Sequence, residues 1–223
     1  MEVFQCGFVQ LYGMTETCGS VTYLPPEDHT VEGNERMKSA GKAYPHCKIA
    51  ILDNDSCEVP LGSVGEIAVK STSNMVGYWN LPDETKKTLK DGWLRTGDAG
   101  YMDADGYVYV HDRVKDMIVS GGENVYPAEV ESAIFGHDSV SDVAVIGIPD
   151  DKWGEAVKAI VVLKNGKTSS EEEIISFAKE RIAGFKSPKS VDFISELPRN
   201  PSGKILKKEL RAPYWEGKER QIN

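Results

Sequence analysis

The sequence has few cysteines and histidines, and neither residue type is spaced as in a metal site. The four cysteines, Cys6, Cys18, Cys47 and Cys57, lie in the N-terminal part of the chain and form no C-x-x-C pair. A structural zinc site is built from such closely spaced pairs, so none is predicted. Unpaired thiols are typical of a cytosolic protein, and we expect a cytoplasmic location. The sequence leaves a catalytic cysteine–histidine pair open, although no spacing favours one.

The sequence also lacks a basic surplus and a long apolar run. Its 26 lysines and arginines face 35 aspartates and glutamates, which gives a formal net charge of −9 over 223 residues. A nucleic-acid surface needs a basic face, so no nucleic-acid partner is expected, although a local basic cluster near the C-terminal end fits within that total. No apolar run approaches the roughly 20 residues that span a bilayer, so no transmembrane segment is predicted.

The first half of the chain has the pattern of a β-rich structure. Between residues 39 and 110, short apolar runs alternate with glycine-rich turns, and a helix is predicted only over Glu84–Leu89. The turn Asp103–Gly106 between two apolar runs predicts a hairpin. A calcium loop is rejected there because the later ligands and the flanking helices of an EF-hand are missing. Phe8–Tyr12 is predicted to be a buried strand.

The second half alternates helices with strands. Pro127 opens a helical pattern that stops at Gly136, and a capping box at Ser170–Glu173 opens another that runs to Gly184. Strands are predicted at residues 143–148, 157–163 and 191–194, followed by a basic helical run over 205–211. The fold class predicted from these patterns is α+β.

Three polar stretches interrupt these elements, and each has an ordinary structural explanation when it is considered alone. Asp112–Glu131, with Gly121 and Gly122 at its centre, is equally consistent with a domain linker. The hydroxyls and the carboxylate of Met14–Thr17 could bind phosphate and a hard cation, or form a solvated turn. Lys204 follows a loop with two prolines, and it could simply be solvated.

Taken together, these stretches resemble the C-terminal part of AMP-forming acyl-CoA synthetases, which are adenylate-forming enzymes together with luciferases and peptide-synthetase adenylation domains. Four motifs match in the family's order: Tyr12–Glu16, Trp93–Asp98, Asp112–Glu131 and Pro198–Lys204. The run Asp116–Pro127 resembles the corresponding run of fatty-acid and other acyl-CoA synthetases more than that of peptide-synthetase adenylation domains. The resemblance implies an enzyme that uses ATP and Mg²⁺ to convert a small carboxylic acid, expected to be a fatty acid, to an acyl-adenylate. The acyl group then passes to coenzyme A, with release of AMP.

The resemblance also implies roles for individual residues. The catalytic group comprises Lys204, Thr15 and Glu16: Lys204 neutralises charge on the α-phosphate, Thr15 contacts a phosphate and Glu16 binds the metal. Tyr12 is expected to pack on adenine, and Asp98 to accept both ribose hydroxyls.

Three further roles concern the movement that the family makes between its two reactions. Arg113 assists at the ribose or phosphate, Lys115 is the hinge residue, and Gly122 lies beside the pantetheine arm of coenzyme A. The implied domains are residues 1–111, the distorted barrel-like end of a large domain, then a hinge at 112–116 and a small mobile domain at 117–223.

One departure from the family is that its glycine-rich phosphate loop, expected well upstream of Tyr12, is missing. The sequence therefore predicts a fragment of a larger enzyme that is inactive by itself. The alternative is a non-catalytic, lid-like module that binds a nucleotide or a partner.

Overall fold

The structure is a computed structural model that describes residue 3 and residues 5–217. The chain divides into two compact units, Met1–Val114 and Lys115–Asn223. The boundary between them falls inside the segment 112–116, where the sequence predicts a hinge. The architecture is strand-rich α+β with a curled, half-barrel sheet, which confirms the predicted fold class.

Over its described residues, the first unit contains two antiparallel sheets and one short α-helix. The smaller sheet has the order β1–β2–β3, and the larger has the order β4–β5–β7–β6 with β8 paired to β7. The bounds are β1 Gln10–Met14, β2 Gly19–Leu24, β3 Lys42–Ala43, β4 Cys47–Leu52, β5 Gly65–Ser71, α1 Pro82–Thr88, β6 Leu89–Lys90, β7 Trp93–Met102 and β8 Val108–Arg113. The turn between β7 and β8 is the predicted Asp103–Gly106 hairpin, in which the Gly106 amide donates to the Asp103 carbonyl.

The larger sheet of the first unit is buried on both faces. Because side chains alternate along a strand, Ala50 and Leu52 of β4 join one apolar cluster, whereas Ile51 joins another with Ile67. The half-buried Tyr12 of β1 packs against the Ile51–Ile67 cluster. This packing fixes the position of β1 and of the polar turn that follows it.

The predicted burial of the N-terminal apolar run is wrong. Strand β1 begins at Gln10 rather than at Phe8, and Phe8, Val9 and Leu11 are exposed. The physical reason is that Phe8 and Val9 precede the strand, whereas Leu11 lies on the face of β1 opposite to that of Tyr12, which packs against the core. A short apolar run does not by itself show that both of its faces are covered.

The described part of the second unit, residues 115–217, contains one five-stranded sheet with the order β10–β9–β12–β11 and with β13 paired in parallel to β12. Its bounds are β9 Ile118–Ser120, β10 Glu123–Val125, α2 Pro127–Phe135, β11 Val140–Asp150, β12 Gly154–Leu163, α3 Glu171–Lys179, β13 Ser190–Phe193 and α4 Lys207–Arg211. Helices α2 and α3 pack on one face of this sheet. The C-terminal segment that includes α4 packs on the other face.

The alternation of apolar residues along β11 produces these three layers. Val143 and Val145 belong to the cluster that contains α2 and α3, whereas Ala144 and Ile146 face Leu197 and the C-terminal segment. The capping box at Ser170 is confirmed, but α3 ends at Lys179 instead of continuing to Gly184. Ile182, which the predicted helix would have included, packs against the core from the turn after the helix. Among the described residues, no helix is long and apolar enough to cross a membrane.

Candidate active site

Three of the predicted site residues meet in the first unit. The Tyr12 hydroxyl donates to Asp98 Oδ2 at 2.7 Å, and Arg113 Nε lies 2.9 Å from Asp98 Oδ1. Arg113 Nη1 also donates to the Thr96 carbonyl at 3.3 Å. The Asp98 carboxylate is thus held in one orientation from both sides, by residues that are far apart in the sequence.

The backbone around Asp98 is set by a short polar framework. The Thr96 hydroxyl donates to the Ile67 carbonyl and accepts from the Asp98 amide. Gly97 has φ +71°, a left-handed angle that glycine adopts without strain, and its amide donates to Glu66 Oε1 at 2.9 Å. Arg95 pairs with the other oxygen of Glu66 at 2.8 Å. These contacts fix the backbone just before Asp98, the residue that Tyr12 and Arg113 contact.

The Tyr12 hydroxyl keeps its proton over a wide pH range. Burial raises the pKa of Tyr12 well above its usual value, and the negative charge of Asp98 raises it further. Both effects disfavour the phenolate. Tyr12 is therefore a permanent hydrogen-bond donor to Asp98 at neutral pH, rather than only the flat surface that the sequence predicts for adenine.

The residues Thr15 and Glu16 lie in a 3-10 turn, Thr15–Thr17, that directly follows β1. Thr15 is exposed and Glu16 is half-buried. Glu16 Oε1 accepts from the Tyr78 hydroxyl at 2.9 Å, and the Glu16 carbonyl accepts from the Met75 amide at 2.7 Å. The turn is thus tied to the loop before α1.

The fit of this turn to a magnesium ion rests on one carboxylate. Within residue 3 and residues 5–217, no group of three or more histidines, cysteines, aspartates or glutamates is arranged to bind a metal. Mg²⁺ is commonly held by one or two carboxylates together with substrate phosphates and water. Glu16 fits that limited role, because the bond from Tyr78 engages only one of its two oxygens.

Gly121 and Gly122 form the turn between β9 and β10 in the second unit, and they differ in their surroundings. A side chain on Gly121 would meet Trp153, with its Cβ only 2.7 Å from Cε3 of the indole, and the Gly121 amide donates to the Trp153 carbonyl. A Cβ on Gly122 would meet no atom within 4 Å. Packing within the unit explains a glycine at 121, whereas at 122 only the φ of +86° favours one.

Lys204 lies in an exposed loop of the second unit that connects β13 to α4. Its amide donates to Asn200 Oδ1 at 2.9 Å, and its carbonyl accepts from the Asn200 amide at 2.9 Å. The loop is held onto β11 because Arg199 pairs with Asp142. These contacts therefore fix the backbone from which the Lys204 side chain extends.

The segment around Lys115 is anchored on each side in a different unit. Arg113 contacts Asp98 in the first unit. Asp116 Oδ1 lies 2.8 Å from Arg211 Nη1 in the second unit, and both side chains are 13% exposed. Between the two anchors lie Val114 and Lys115, in the 3-10 turn Val114–Asp116. The hinge role of Lys115 remains a prediction.

Several functional candidates were missed by the sequence interpretation. From the sequence, no individual role is predicted for Tyr78, Thr96 or Glu66. Their contacts join residues that are far apart in the chain, so no local spacing reveals them. Asn200 and Arg199 are next to each other in a recognised motif, and their closeness to Lys204 in sequence was an available signal.

Comparison with protein families gives two matches. Residues 1–79 match the model described as AMP-binding enzyme, and residues 129–204 match the AMP-binding enzyme C-terminal domain.

Two of the curated relatives are named as fatty-acid ligases, one for an acyl-carrier protein and the other for CoA. The fatty acid–[acyl-carrier-protein] ligase ScoC of Streptomyces coeruleorubidus is 46% identical over 223 residues, which cover 100% of this chain and 43% of the relative. The long-chain-fatty-acid–CoA ligase FadD13 of Mycobacterium tuberculosis is 47% identical over 206 residues, which cover 92% of this chain and 40% of the relative. The chain thus spans about two fifths of the length of the curated relatives that it matches.

The fold is also similar to that of a solved enzyme. The o-succinylbenzoate CoA synthetase MenE of Bacillus subtilis, in complex with the acyl-adenylate intermediate OSB-AMP, superposes with a TM-score of 0.84 at 41% identity. The match covers 92% of this chain and 41% of that one. The same enzyme in complex with ATP and magnesium gives a TM-score of 0.81 at 40% identity. This chain belongs to the AMP-binding family of adenylate-forming enzymes.

Proposed function

We propose that this chain supplies the C-terminal catalytic residues of an AMP-forming acid–CoA ligase whose acid is a fatty acid. The observation that carries the proposal is the contact of Tyr12 and Arg113 with the two oxygens of Asp98. The names of the relatives support a fatty acid, because ScoC and FadD13 are both described as fatty-acid ligases. The reaction belongs to the complete natural protein.

In the first reaction, a carboxylate oxygen of the acid attacks the α-phosphorus of ATP, and the bond to the β-phosphate oxygen breaks to release pyrophosphate. Negative charge accumulates on the phosphate oxygens, so cations and fixed donors stabilise the transition state. Lys204 neutralises that charge, Thr15 donates to a phosphate, and Glu16 holds Mg²⁺. The metal, when bound, neutralises charge on the triphosphate.

The nucleotide is held by the first unit in this proposal. Asp98 accepts the ribose hydroxyls with the lone pairs that Tyr12 and Arg113 leave available, since an ionised carboxylate is an acceptor only. Tyr12 packs on adenine and at the same time orients Asp98. Arg113 assists at the ribose or the phosphate.

In the second reaction, the thiol sulfur of coenzyme A attacks the acyl carbonyl carbon, and AMP leaves with the bonding electrons. Between the two reactions, rotation at Lys115 replaces Lys204 with the Gly122 turn at the nucleotide. Gly122 suits this role because its missing side chain is not explained by packing inside its own unit. A carrier-protein thiol is the second candidate acceptor, since ScoC matches over the whole of this chain and acts on an acyl carrier protein.

The test is acid-dependent exchange of labelled pyrophosphate into ATP by the complete natural protein. A panel of straight-chain fatty acids of increasing length is compared with aromatic acids. We expect pyrophosphate exchange that depends on a fatty acid. When coenzyme A is then added as the thiol, we expect release of AMP. Faster release with a pantetheinylated carrier protein would favour the second acceptor. Binding of AMP without exchange for any acid would instead support the non-catalytic module.

A further inference from the structure

The loop that carries Lys204 is exposed, yet several hydrogen bonds and one ion pair hold it in place. Arg199, next to Pro198, uses both ends of its guanidinium: Nη1 donates to the Gly203 carbonyl at 2.6 Å, and Nη2 lies 2.6 Å from Asp142 Oδ2. The first contact closes the loop across its ends. The second fixes the loop to β11, since Asp142 is a residue of that strand.

A second set of bonds holds the interior of the same loop. Asn200 Oδ1 accepts from the amides of Ser202 and Lys204 and from the Ser202 hydroxyl. The Gly203 amide donates to the Asn200 carbonyl. Gly203 has φ +85°, which lets the chain reverse direction there without strain. These bonds leave the Lys204 backbone in one conformation.

The Asp142 side chain is itself fixed before it receives Arg199. Its other oxygen, Oδ1, accepts from the Val143 amide at 3.0 Å, and the strand pairing of β11 with β12 has a register irregularity between Val140 and Asp142. The irregularity and the bond to Val143 set the direction of the carboxylate. Arg199 therefore pairs with an acceptor whose position is determined by the sheet.

The effect of this pair on fold stability is small. The Arg199 and Asp142 side chains are 43% and 30% exposed, and exposed ion pairs contribute little because ordering long side chains offsets the attraction. Its main consequence is geometric. A planar guanidinium that binds two acceptors fixes both distance and angle, which a lysine cannot do.

We propose that Arg199, Asp142 and Asn200 are positioning residues. They hold the Lys204 loop in the geometry that Lys204 needs to neutralise charge while the acid attacks ATP. This role rests on the proposed function of Lys204. Transition-state stabilisation by a charged group depends on its being in place before the reaction, and small displacements of such a group lower the rate strongly. The three residues act through Lys204 and do not touch the substrate.

A different role for Arg199, direct binding of a phosphate of ATP, makes the opposite prediction for Asp142. If Arg199 bound phosphate, its loss would raise the KM for ATP, and Asp142→Asn would leave binding unchanged or improve it by releasing the guanidinium. If Arg199 positions Lys204, both substitutions lower kcat of pyrophosphate exchange and leave the KM for ATP nearly unchanged.

The experiment compares Arg199→Ala, Arg199→Lys and Asp142→Asn in the complete natural protein, in both half-reactions. We expect Arg199→Ala to lower kcat of pyrophosphate exchange by about 10- to 100-fold, as for a displaced catalytic group. Thioester formation from supplied acyl-adenylate should change by less than about twofold, because that step does not use Lys204 in the proposed function. Arg199→Lys should not restore exchange, and the double variant Arg199→Ala with Asp142→Asn should be no worse than Arg199→Ala alone.

Arg181→Ala is the matched control. Arg181 is also 43% exposed, also donates from Nη1 to a carbonyl, that of Phe177, and also pairs with a carboxylate, that of Glu180. It lies in the same unit but not in the Lys204 loop. Its loss therefore removes the same charge and similar contacts, and both half-reactions should remain at the level of the unmodified protein.

A second readout does not depend on turnover. The Lys204 amide donates to Asn200 Oδ1, so Arg199→Ala and Asn200→Ala should speed its hydrogen exchange by about tenfold or more, as expected for local opening. Amides of β11 and β12 should exchange as before. Unchanged exchange of the Lys204 amide in both variants would overturn the positioning role.

The outcomes separate this inference from the function on which it rests. If Lys204→Ala loses pyrophosphate exchange while Arg199→Ala keeps it, the positioning role is wrong and the proposed function stands. Equal damage to both half-reactions by Arg199→Ala would indicate a structural role only. Absence of exchange in the unmodified protein, with every acid tested, would overturn the proposed function and this role with it.

Discussion

Arg113 and Asp116 are close neighbours in the chain, yet their side chains pair in different compact units. Arg113 Nε lies 2.9 Å from Asp98 Oδ1 in the first unit, and Asp116 Oδ1 lies 2.8 Å from Arg211 Nη1 in the second. The two ion pairs therefore hold the chain on either side of Val114 and Lys115 in different units. The hinge at 112–116, with Lys115 as its residue, remains a prediction.

The Asp116–Arg211 pair should stabilise the second unit alone. Removing one partner leaves a nearly buried charge, so Asp116→Ala should lower the free energy of unfolding of that unit by about 3 kcal/mol. Denaturation followed by hydrogen exchange of core amides in each unit is the measurement. Glu180→Ala, which breaks an exposed pair with Arg181 at 3.3 Å, should change stability by less than about 1 kcal/mol. Equal losses of stability in both units, or equal effects of Asp116→Ala and Glu180→Ala, would contradict the claim that this pair stabilises the second unit alone.

The Tyr12–Asp98 contact should determine AMP affinity. Calorimetric titration of the complete natural protein should show AMP binding that Asp98→Ala weakens by about 100-fold or more, since a charged acceptor is lost. Tyr12→Phe should weaken it by about tenfold, because the carboxylate loses the donor that orients it. Glu84→Ala removes the same charge from an exposed pair with Lys87 and should have no effect. Unaltered AMP affinity in Asp98→Ala would contradict the assignment of the ribose site.

The bond from Tyr78 to Glu16 should matter for the metal. Burial raises the pKa of Tyr78, and its bond to Glu16 raises it further, so the hydroxyl stays protonated and donates at neutral pH. Tyr78→Phe should leave Glu16 free to turn and should weaken Mn²⁺ binding, measured by electron paramagnetic resonance with a non-hydrolysable ATP analogue, by about tenfold. Tyr101→Phe, in the stack with Tyr109, is the control. Equal Mn²⁺ affinity in the two variants would exclude this role for Tyr78.

The C-terminal segment should lose stability in alkali. The Tyr214 hydroxyl donates to Asp192, which also pairs with the nearly buried Lys158 at 2.7 Å. Burial, followed by the hydrogen bond to Asp192, raises the pKa of Tyr214 from 10.0 to about 12. Because the folded pKa is raised, this stabilisation is fully present below pH 10 and is lost as pH rises through 12. The stability difference between the protein and Tyr214→Phe should therefore shrink over that range in denaturant titrations. A stability difference that stays constant over that range would contradict the stabilising role of the hydrogen bond from Tyr214 to Asp192.

The sequence predicted the elements better than the contacts between them. The hairpin at Asp103–Gly106 and the cap at Ser170 were correct because each depends on a few neighbouring residues. The wrong burial of Phe8 and Leu11 arose because exposure depends on which strands lie alongside, and an apolar run does not contain that information.

The same limit applies to the site. The resemblance supplied Tyr12, Asp98 and Arg113 as separate ligands of one nucleotide, but it did not predict that they contact one another. The partners Tyr78 and Asp142 come from distant segments, so only the folded chain brings them to Glu16 and Arg199. Positioning contacts of this kind are long-range in sequence and follow no fixed spacing.

The most direct test of the account compares Lys204→Ala with Gly122→Leu in both half-reactions of the complete natural protein. Lys204→Ala should lower pyrophosphate exchange by about 10²- to 10³-fold, the scale of losing one preorganised charge-stabilising group, and spare thioester formation from supplied acyl-adenylate. Gly122→Leu should do the reverse. Gly166→Leu controls for backbone strain, because Gly166 also has a positive φ, +74°, and open space around it; it should affect neither reaction. If Lys204→Ala and Gly122→Leu damaged the same half-reaction, the proposal that Lys204 serves the first reaction and the Gly122 turn the second would be wrong.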